Sequence, residues 1–200
     1  MKRTLEEHAA RFDEAAPEYD EDKSEEHRAA VSLVVKHADP GPTETVLDLG
    51  TGTGAVALAL AEDADRVIGR DISQGMLEEA RRKAEARGLR NVSFGTGRFR
   101  DPQIEEPVDV VVSNFAMHHL SDGEKRRAIE TIGSLDPRRF VLGDVMFFEE
   151  ADPDHRVYDP EVDDPATVGT LVEALTDLGF AVTAVERIHD QVGVLVADSR

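Results

Sequence analysis

The chain has 200 residues, enough for one domain with a sizeable core, and no cysteine, which excludes disulfides, thiolate metal sites and cysteine nucleophiles. Its formal charge is −19, with acids dispersed along the whole length and eighteen arginines against five lysines. Such a surface either repels nucleic acid or reflects adaptation to high salt, where screening removes the self-repulsion. The longest apolar runs fall far short of the roughly 20 residues that span a bilayer, and the first twenty residues lack the apolar stretch of a secretory signal, so a cytoplasmic location is expected.

In chain order, residues 4–15 and 21–38 read as two helices, the second with Ala29, Ala30, Leu33, Val34 and His37 on one face. Between them lies Phe12-Asp13-Glu14-Ala15-Ala16-Pro17-Glu18-Tyr19-Asp20, and Pro40-Gly41-Pro42 punctuates the chain before the core. Val46-Leu47-Asp48-Leu49 then reads as a strand, followed by Gly50, Gly52 and Gly54 at every second position and by a helix over 55–61. Glycine permits positive φ in a tight turn and lets a ligand approach the backbone, while the helix start presents unpaired N–H groups. The turn also satisfies the G-x-G-x-x-G/A pattern of dinucleotide folds, so the glycines alone do not choose a cofactor. Asp48 does: a carboxylate two residues before the first glycine repels a diphosphate but suits a cofactor carrying an ammonium and a sulfonium.

VLDLGTGTG closely resembles motif I of class I S-adenosylmethionine-dependent methyltransferases. The FD-x-x-A-x-x-YD segment at residues 12–20 resembles that of ubiquinone/menaquinone-biosynthesis-type and related small-molecule methyltransferases. In that family it lies over the cofactor and its tyrosine lines the site; the alternative is that Phe12 and Tyr19 only anchor an N-terminal helix. Asp71, at the end of a strand containing Val67 and Ile68, follows Gly50 by 21 residues, where an acid binds the ribose hydroxyls of such a cofactor. The stretch VIGRDISQGML again resembles the family. A helix over 73–88 follows, with Ile72, Met76, Ala80 and Ala84 inward, Glu78–Arg82 and Glu79–Lys83 as i,i+4 pairs, and Gly88 at its end. After a strand at 92–94, the loop Gly95-Thr96-Gly97-Arg98-Phe99 breaks the family pattern, which has an acid or small polar residue near the adenine amine where Arg98 stands; backbone groups or Phe99 are the replacements expected.

Val108 to Val112 is nearly continuous apolar sequence, as a doubly covered strand should be. Ser113-Asn114-Phe115-Ala116-Met117-His118-His119-Leu120 resembles motif IV of small-molecule class I methyltransferases and lacks the proline after Asn114 found in enzymes that methylate adenine or glutamine. His119 is the candidate base for a hydroxyl acceptor; the alternative is one histidine packed under the next helix and the other solvated. No carboxylate or third histidine lies at ligand spacing, so no metal is expected. Ser121 and Glu124 have capping-box spacing for a helix to Leu135. Leu135-Asp136-Pro137-Arg138-Arg139 stands where the family reads L-x-P-G-G before the fifth strand, 140–145, so the glycines are gone and the turn must differ. The aspartate-rich loop 151–165 lacks calcium-loop spacing and reads as a cap over the substrate; a helix from Pro165 and a hairpin over 180–187 and 192–197 close the chain.

Strand–helix alternation implies an open α/β sheet. The resemblance implies a Rossmann-like, seven-stranded, mostly parallel sheet, order 3-2-1-4-5-7-6 with the last strand antiparallel and helices on both faces. It implies a single methyltransferase domain over 1–200, with a helical lid at 1–40 and the core at 44–200. The cofactor implied is S-adenosylmethionine, held by Tyr19, Asp48, Gly50, Thr51, Gly52, Asp71, Ile72, Met76, Gly97, Arg98, Asn114 and Phe115; His119 remains the candidate base on its chemistry. The reaction implied is methyl transfer to a small molecule, by a monomer or homodimer without nucleic acid or membrane. An NAD(P)-dependent oxidoreductase and a non-catalytic S-adenosylmethionine-binding regulatory protein are the alternatives. The acid excess and arginine bias resemble proteins of halophilic archaea.

Overall fold

The computed structural model describes residues 5–21, 23–149 and 156–199; position 4 of the first expected helix and residues 151–155 of the acidic loop lie outside them. Helix α1 (Leu5–Ala15) and a 3-10 turn (Ala16–Glu18) lead to α2 (Glu25–Ala38). α2 begins later than the expected residue 21 because Ser24 caps it, its hydroxyl accepting the His27 N–H at 3.2 Å. Ala30, Val34 and Ala38 form its buried stripe, with Ala29, Leu33 and His37 half-buried beside it.

Among the described residues eight strands follow: β1 (Thr45–Leu49), β2 (Arg66–Asp71), β3 (Val92–Thr96), β4 (Val110–Asn114), β5 (Arg139–Phe147), β6 (Ala166–Thr167), β7 (Phe180–His189) and β8 (Val192–Ser199). The sheet runs β3-β2-β1-β4-β5-β8-β7, the expected order, with β8 antiparallel to both β5 and β7. The expected count of seven is one short. β4 stops pairing at Asn114↔Gly143, which leaves the end of β5 open on that side, and the short β6 fills it by pairing with Met146 and Phe147. The last helix, α6 (Val168–Asp177), therefore starts after β6 rather than at Pro165, with Thr167 accepting the Thr170 N–H at 3.1 Å.

Strand residues alternate between two cores. Val46, Val110, Val112 and Val141 pack under α2 and α3 (Ala55–Leu60). Leu47, Val111, Phe140 and Leu142 pack against Ile129 and Ile132 of α5 (Asp122–Ser134) and Leu171 and Leu175 of α6. Fully burying a side chain of this kind contributes about 1.5–3 kcal/mol, which is why the central strands carry no solvated face. α5 begins with the expected capping box of Ser121 and Glu124. In the turn before β5, Asp136 takes φ 54°, a left-handed conformation that aspartate tolerates better than most residues. In α4 (Gln74–Ala86), Glu79 pairs with Arg82 one turn on, and Lys83 turns away to Asp20, so the expected i,i+4 pairs do not form. Among the described residues no helix is long and apolar enough to cross a membrane.

Candidate active site

The chain leaves β1 for β2 on one side and returns as β4 on the other, which opens a crevice at the carboxyl ends of these strands. A cleft of about 290 Å³ lies there. The glycine turn forms its floor: Gly50 N–H and Thr51 N–H both donate to Arg70 O, at 2.8 and 3.0 Å. Gly50 sits at φ 70°, and a Cβ on it would stand 2.3 Å from the Ala116 Cβ. A Cβ on Gly52, at φ 52°, would meet only Tyr19 at 3.9 Å, so the missing atom leaves room in the cleft itself. Asp48 is buried beneath the turn and accepts the Thr51 hydroxyl at 2.7 Å. Burial lifts its pKa to about 7 against that bond and a backbone N–H bond.

Asp71 does more than end β2. Its Oδ2 accepts the Gly52 N–H at 2.8 Å and its Oδ1 accepts the Ser73 N–H at 2.9 Å, so it ties the glycine turn to the start of α4. Burial moves its pKa upward despite those bonds. Ile72 is half-buried and Met76 buried beside it, both on the cleft wall. Gly97 closes the adjoining wall, where a Cβ would lie 2.7 Å from Pro102 O, and Arg98 is exposed at the mouth next to Phe99.

The N-terminal segment covers this floor. Asp13 accepts from the Ser73 hydroxyl at 2.6 Å and the Gly75 N–H at 2.9 Å; Asp20 accepts the Thr53 hydroxyl at 2.8 Å and pairs with Lys83. The two acids of the FD-x-x-A-x-x-YD segment are thus its anchors, while Phe12 and Tyr19 face the cleft, their rings 6.2 Å apart. The aromatic residues drew attention in the sequence; the acids beside them were the unread signal. Burial raises the Tyr19 pKa to about 12, and Lys23, whose Nζ lies 2.9 Å from the Tyr19 ring centroid, falls to about 8, also through burial.

The far wall follows β4. Asn114 lines the cleft, and its buried Oδ1 has no hydrogen-bond partner among the described residues. Phe115, at φ 53°, stacks near His27 with ring centroids 4.9 Å apart. His118 is buried, donating from its backbone N–H to Asp144 Oδ2 at 2.9 Å and from Nδ1 to Asp144 Oδ1 at 2.5 Å. Burial opposes its cationic form, yet Asp144 outweighs burial and the pKa rises. His119 lines the cleft and meets Asp163 Oδ1 at 2.7 Å through Nδ1. The expectation that no carboxylate accompanies these histidines is corrected: folding brings Asp144 from 26 residues away and Asp163 from 44. His118, His119 and Asp163 place potential ligand atoms within 4.8 Å of one another. The 2.7 Å contact is nevertheless a hydrogen bond, since two donors about 2.0–2.1 Å from a tetrahedral ion stand roughly 3.3 Å apart.

All of the residues that the resemblance points to line this one cleft. The space above Gly52, the unpartnered Asn114 Oδ1 and the carboxylate of Asp71 suit a compact polar cofactor such as S-adenosylmethionine. A methyltransferase-domain profile matches residues 46–135. An uncharacterized methyltransferase of Oceanobacillus iheyensis is 34% identical over 146 residues, covering 68% of this chain and 66% of its own. One of Staphylococcus carnosus is 31% identical over 147 residues, 70% of this chain and 68% of its own. Aklanonic acid methyltransferase DauC of a Streptomyces species is 34% identical over 115 residues, 56% of this chain and 52% of its own. The chain thus spans about half to two thirds of the length of these relatives. The solved DhpI–SAH complex superposes with a TM-score of 0.77 over 98% of this chain and 96% of its own, at 24% identity. With the motif I turn, the strand order and these sequence relatives in agreement, the chain belongs to the class I S-adenosylmethionine-dependent methyltransferases.

Proposed function

We propose that the protein transfers a methyl group from S-adenosylmethionine to a small acceptor bound in this cleft. The observation that carries the reading is the convergence of the glycine turn, Asp71, Asn114 and His119 on one cleft beneath an N-terminal cover. Asp71 would take the ribose hydroxyls on its remaining lone pairs. Gly50, Thr51 and Gly52 would receive the amino-acid end above Asp48, and Gly97, Arg98 and Phe99 would border the adenine. Ile72 and Met76 would pack along the nucleoside, and Tyr19, Asn114 and Phe115 would enclose the sulfonium. When bound, S-adenosylmethionine supplies an electrophilic methyl carbon. The chain's part is to align an acceptor with that carbon and exclude water, and Phe12, Tyr19 and Phe115 serve the second role.

A dinucleotide fits less well. The Gly52 N–H that a diphosphate would take already donates to Asp71, and Asp48 lies directly below. The small cleft favours a metabolite over nucleic acid, and DauC, a relative named for aklanonic acid, supports a small acceptor. The reading extends to one domain with residues 1–40 as its lid, working in the cytoplasm as a monomer or homodimer, away from membranes, with the charge balance of a halophilic archaeal protein. Calorimetry with S-adenosylmethionine and with NADH, followed by labelled-methyl transfer into a small-molecule fraction of cell extract, tests it. Binding of S-adenosylmethionine with label in small molecules is expected. Tight NADH binding without S-adenosylmethionine binding, or label only in acid-precipitable nucleic acid or protein, would overturn it.

A further inference from the structure

We propose that His119 is the proton acceptor for a hydroxyl-bearing substrate and that Asp163, carried by the segment ahead of β6, is the positioning residue that presents it. This rests on the methyl-transfer reading and adds the chemistry of the acceptor.

A carboxylate only accepts hydrogen bonds, so at 2.7 Å from Asp163 Oδ1 the His119 ring donates from Nδ1. A neutral imidazole protonated on Nδ1 has its lone pair on Nε2. That nitrogen has no hydrogen-bond partner among the described residues, while the ring lines the cleft and Asp163 does not. The ring is held on its other sides by His8 and Phe12 of α1, at centroid distances of 5.4 and 5.5 Å, and by His118 at 4.0 Å.

Asp163 is itself held in place. Its Oδ2 accepts the Asp159 N–H at 2.8 Å, and its own N–H donates to Asp159 O at 2.7 Å. The next residue, Asp164, donates its N–H to His118 O at 2.7 Å, and Lys125 reaches both Leu120 O and Asp164 O. The segment is therefore stapled to the backbone on both sides of His119. A loose acidic loop would not need these bonds.

The groups facing His119 keep it neutral. Burial lowers its pKa, His118 lowers it further, and Asp163 and Asp144 oppose both without reversing the direction. His8 faces it from α1, and Glu124 of α5 and Arg100, 3.9 Å apart, lie elsewhere on the cleft wall. At neutral pH the lone pair is available. His118, whose pKa Asp144 raises against burial, stands between Asp144 and Asp163, its Nε2 3.9 Å from Asp163 Oδ1.

Such a base matters only for some acceptors. A neutral amine attacks with its own lone pair, and a thiol ionises near pH 8.5 unaided. A hydroxyl needs its proton removed as it attacks. In the step, the acceptor oxygen bonds to the methyl carbon, the carbon–sulfur electron pair remains on sulfur as a thioether, and the hydroxyl proton passes to Nε2. The imidazolium then loses that proton to solvent, so atoms and charge balance. The aromatic wall of Phe12, His27 and Phe115 implies a small acceptor with a flat, apolar body beside the hydroxyl.

The test uses the full chain, with histidine 15N spectra taken in the presence of S-adenosylhomocysteine. The expected result is His119 as the Nδ1–H tautomer at pH 7.5. Asp163→Asn should mix the tautomers and Asp163→Glu should restore them. With the small-molecule extract and S-adenosylmethionine, Asp163→Asn and His119→Gln should each lower kcat roughly 10- to 100-fold with unchanged affinity for S-adenosylmethionine. The low-pH limb of the rate profile should move in Asp163→Asn. A His119 that carries its proton on Nε2, or stays cationic at pH 7.5, overturns the proposal whatever the turnover. So does an unchanged rate in both variants, or methylation confined to amines and thiols. Absence of turnover in the wild type with the expected tautomer sinks the methyl-transfer reading and, with it, the role given to the dyad.

Discussion

Asp71 and Asp48 are both built into the glycine turn, each accepting a hydrogen bond from it. Asp71 accepts N–H groups from both Gly52 and Ser73, so it is structural before any cofactor arrives. Hydrogen bonds to a charged group contribute about 1.5–3 kcal/mol each. Asp71→Ala is expected to weaken S-adenosylmethionine binding roughly 10- to 100-fold by calorimetry and also to lower the melting temperature. Loss of affinity at unchanged stability would mean that the two backbone bonds are replaced by water. Asp48 predicts a pH dependence. Its folded pKa, about 7, is above the unfolded value of 3.8, so the folded chain holds the extra proton between those limits. Stability from this group is therefore present below about pH 4 and falls as pH rises toward 7. Asp48→Asn should remove that part of the slope in urea melts at successive pH values; an unchanged slope would place the carboxylate in contact with water.

The N-terminal cover is held by specific bonds rather than by general apolar packing. α1 and the 3-10 turn are docked by Asp13 on the start of α4 and by Asp20 on Thr53 and Lys83. At Gly75 a Cβ would lie 3.0 Å from the Asp13 backbone, so the cover also sits close. Asp13→Ala and Asp20→Ala should each speed hydrogen exchange across residues 5–21 and weaken S-adenosylmethionine binding several-fold, with the sheet's protection unchanged. Equal loss of protection in β1 and β4 would show that cover and sheet open as one unit. The same element carries His8 and Phe12 to His119, so its docking and the far wall of the cleft are coupled by contact.

Across the whole molecule the charge of −19 is the dominant long-range force. Described ion pairs such as Arg66–Glu106 and Arg126–Asp177 are exposed. Pairs of this kind contribute about 0–1 kcal/mol, so screening them costs little. Repulsion among the dispersed acids reaches about 10 Å at 0.1 M salt and shortens as salt rises. The melting temperature is expected to climb between 0.1 M and 2 M potassium chloride, with structure lost below about 0.5 M. A flat melting temperature over that range would show that the acids are spaced widely enough to ignore one another.

Local chemistry made the sheet and the glycine turn readable from residues alone. Gly50 and Gly52 need positive φ, Asp71 ends a strand, Ser121 and Glu124 form a capping box, and the apolar runs of β1, β4 and β5 can be buried only between two helical layers. Each of these is set within a few neighbouring residues, and the strand order followed by resemblance. Element boundaries at Ser24 and Thr167 were missed because a cap and a leftover sheet edge, not periodicity, decide them. The carboxylates around the histidines were invisible for a different reason. Asp144 and Asp163 stand 26 and 44 residues from their partners, and no spacing rule links a strand and a distant loop that meet only after β5 and β6 pair. The same holds for Asp20 and Lys83, brought together from 63 residues apart. Motif and periodicity determined the glycine turn and the strands that frame the cleft, whereas tertiary packing alone decided which acids hold the cover down and which one meets His119.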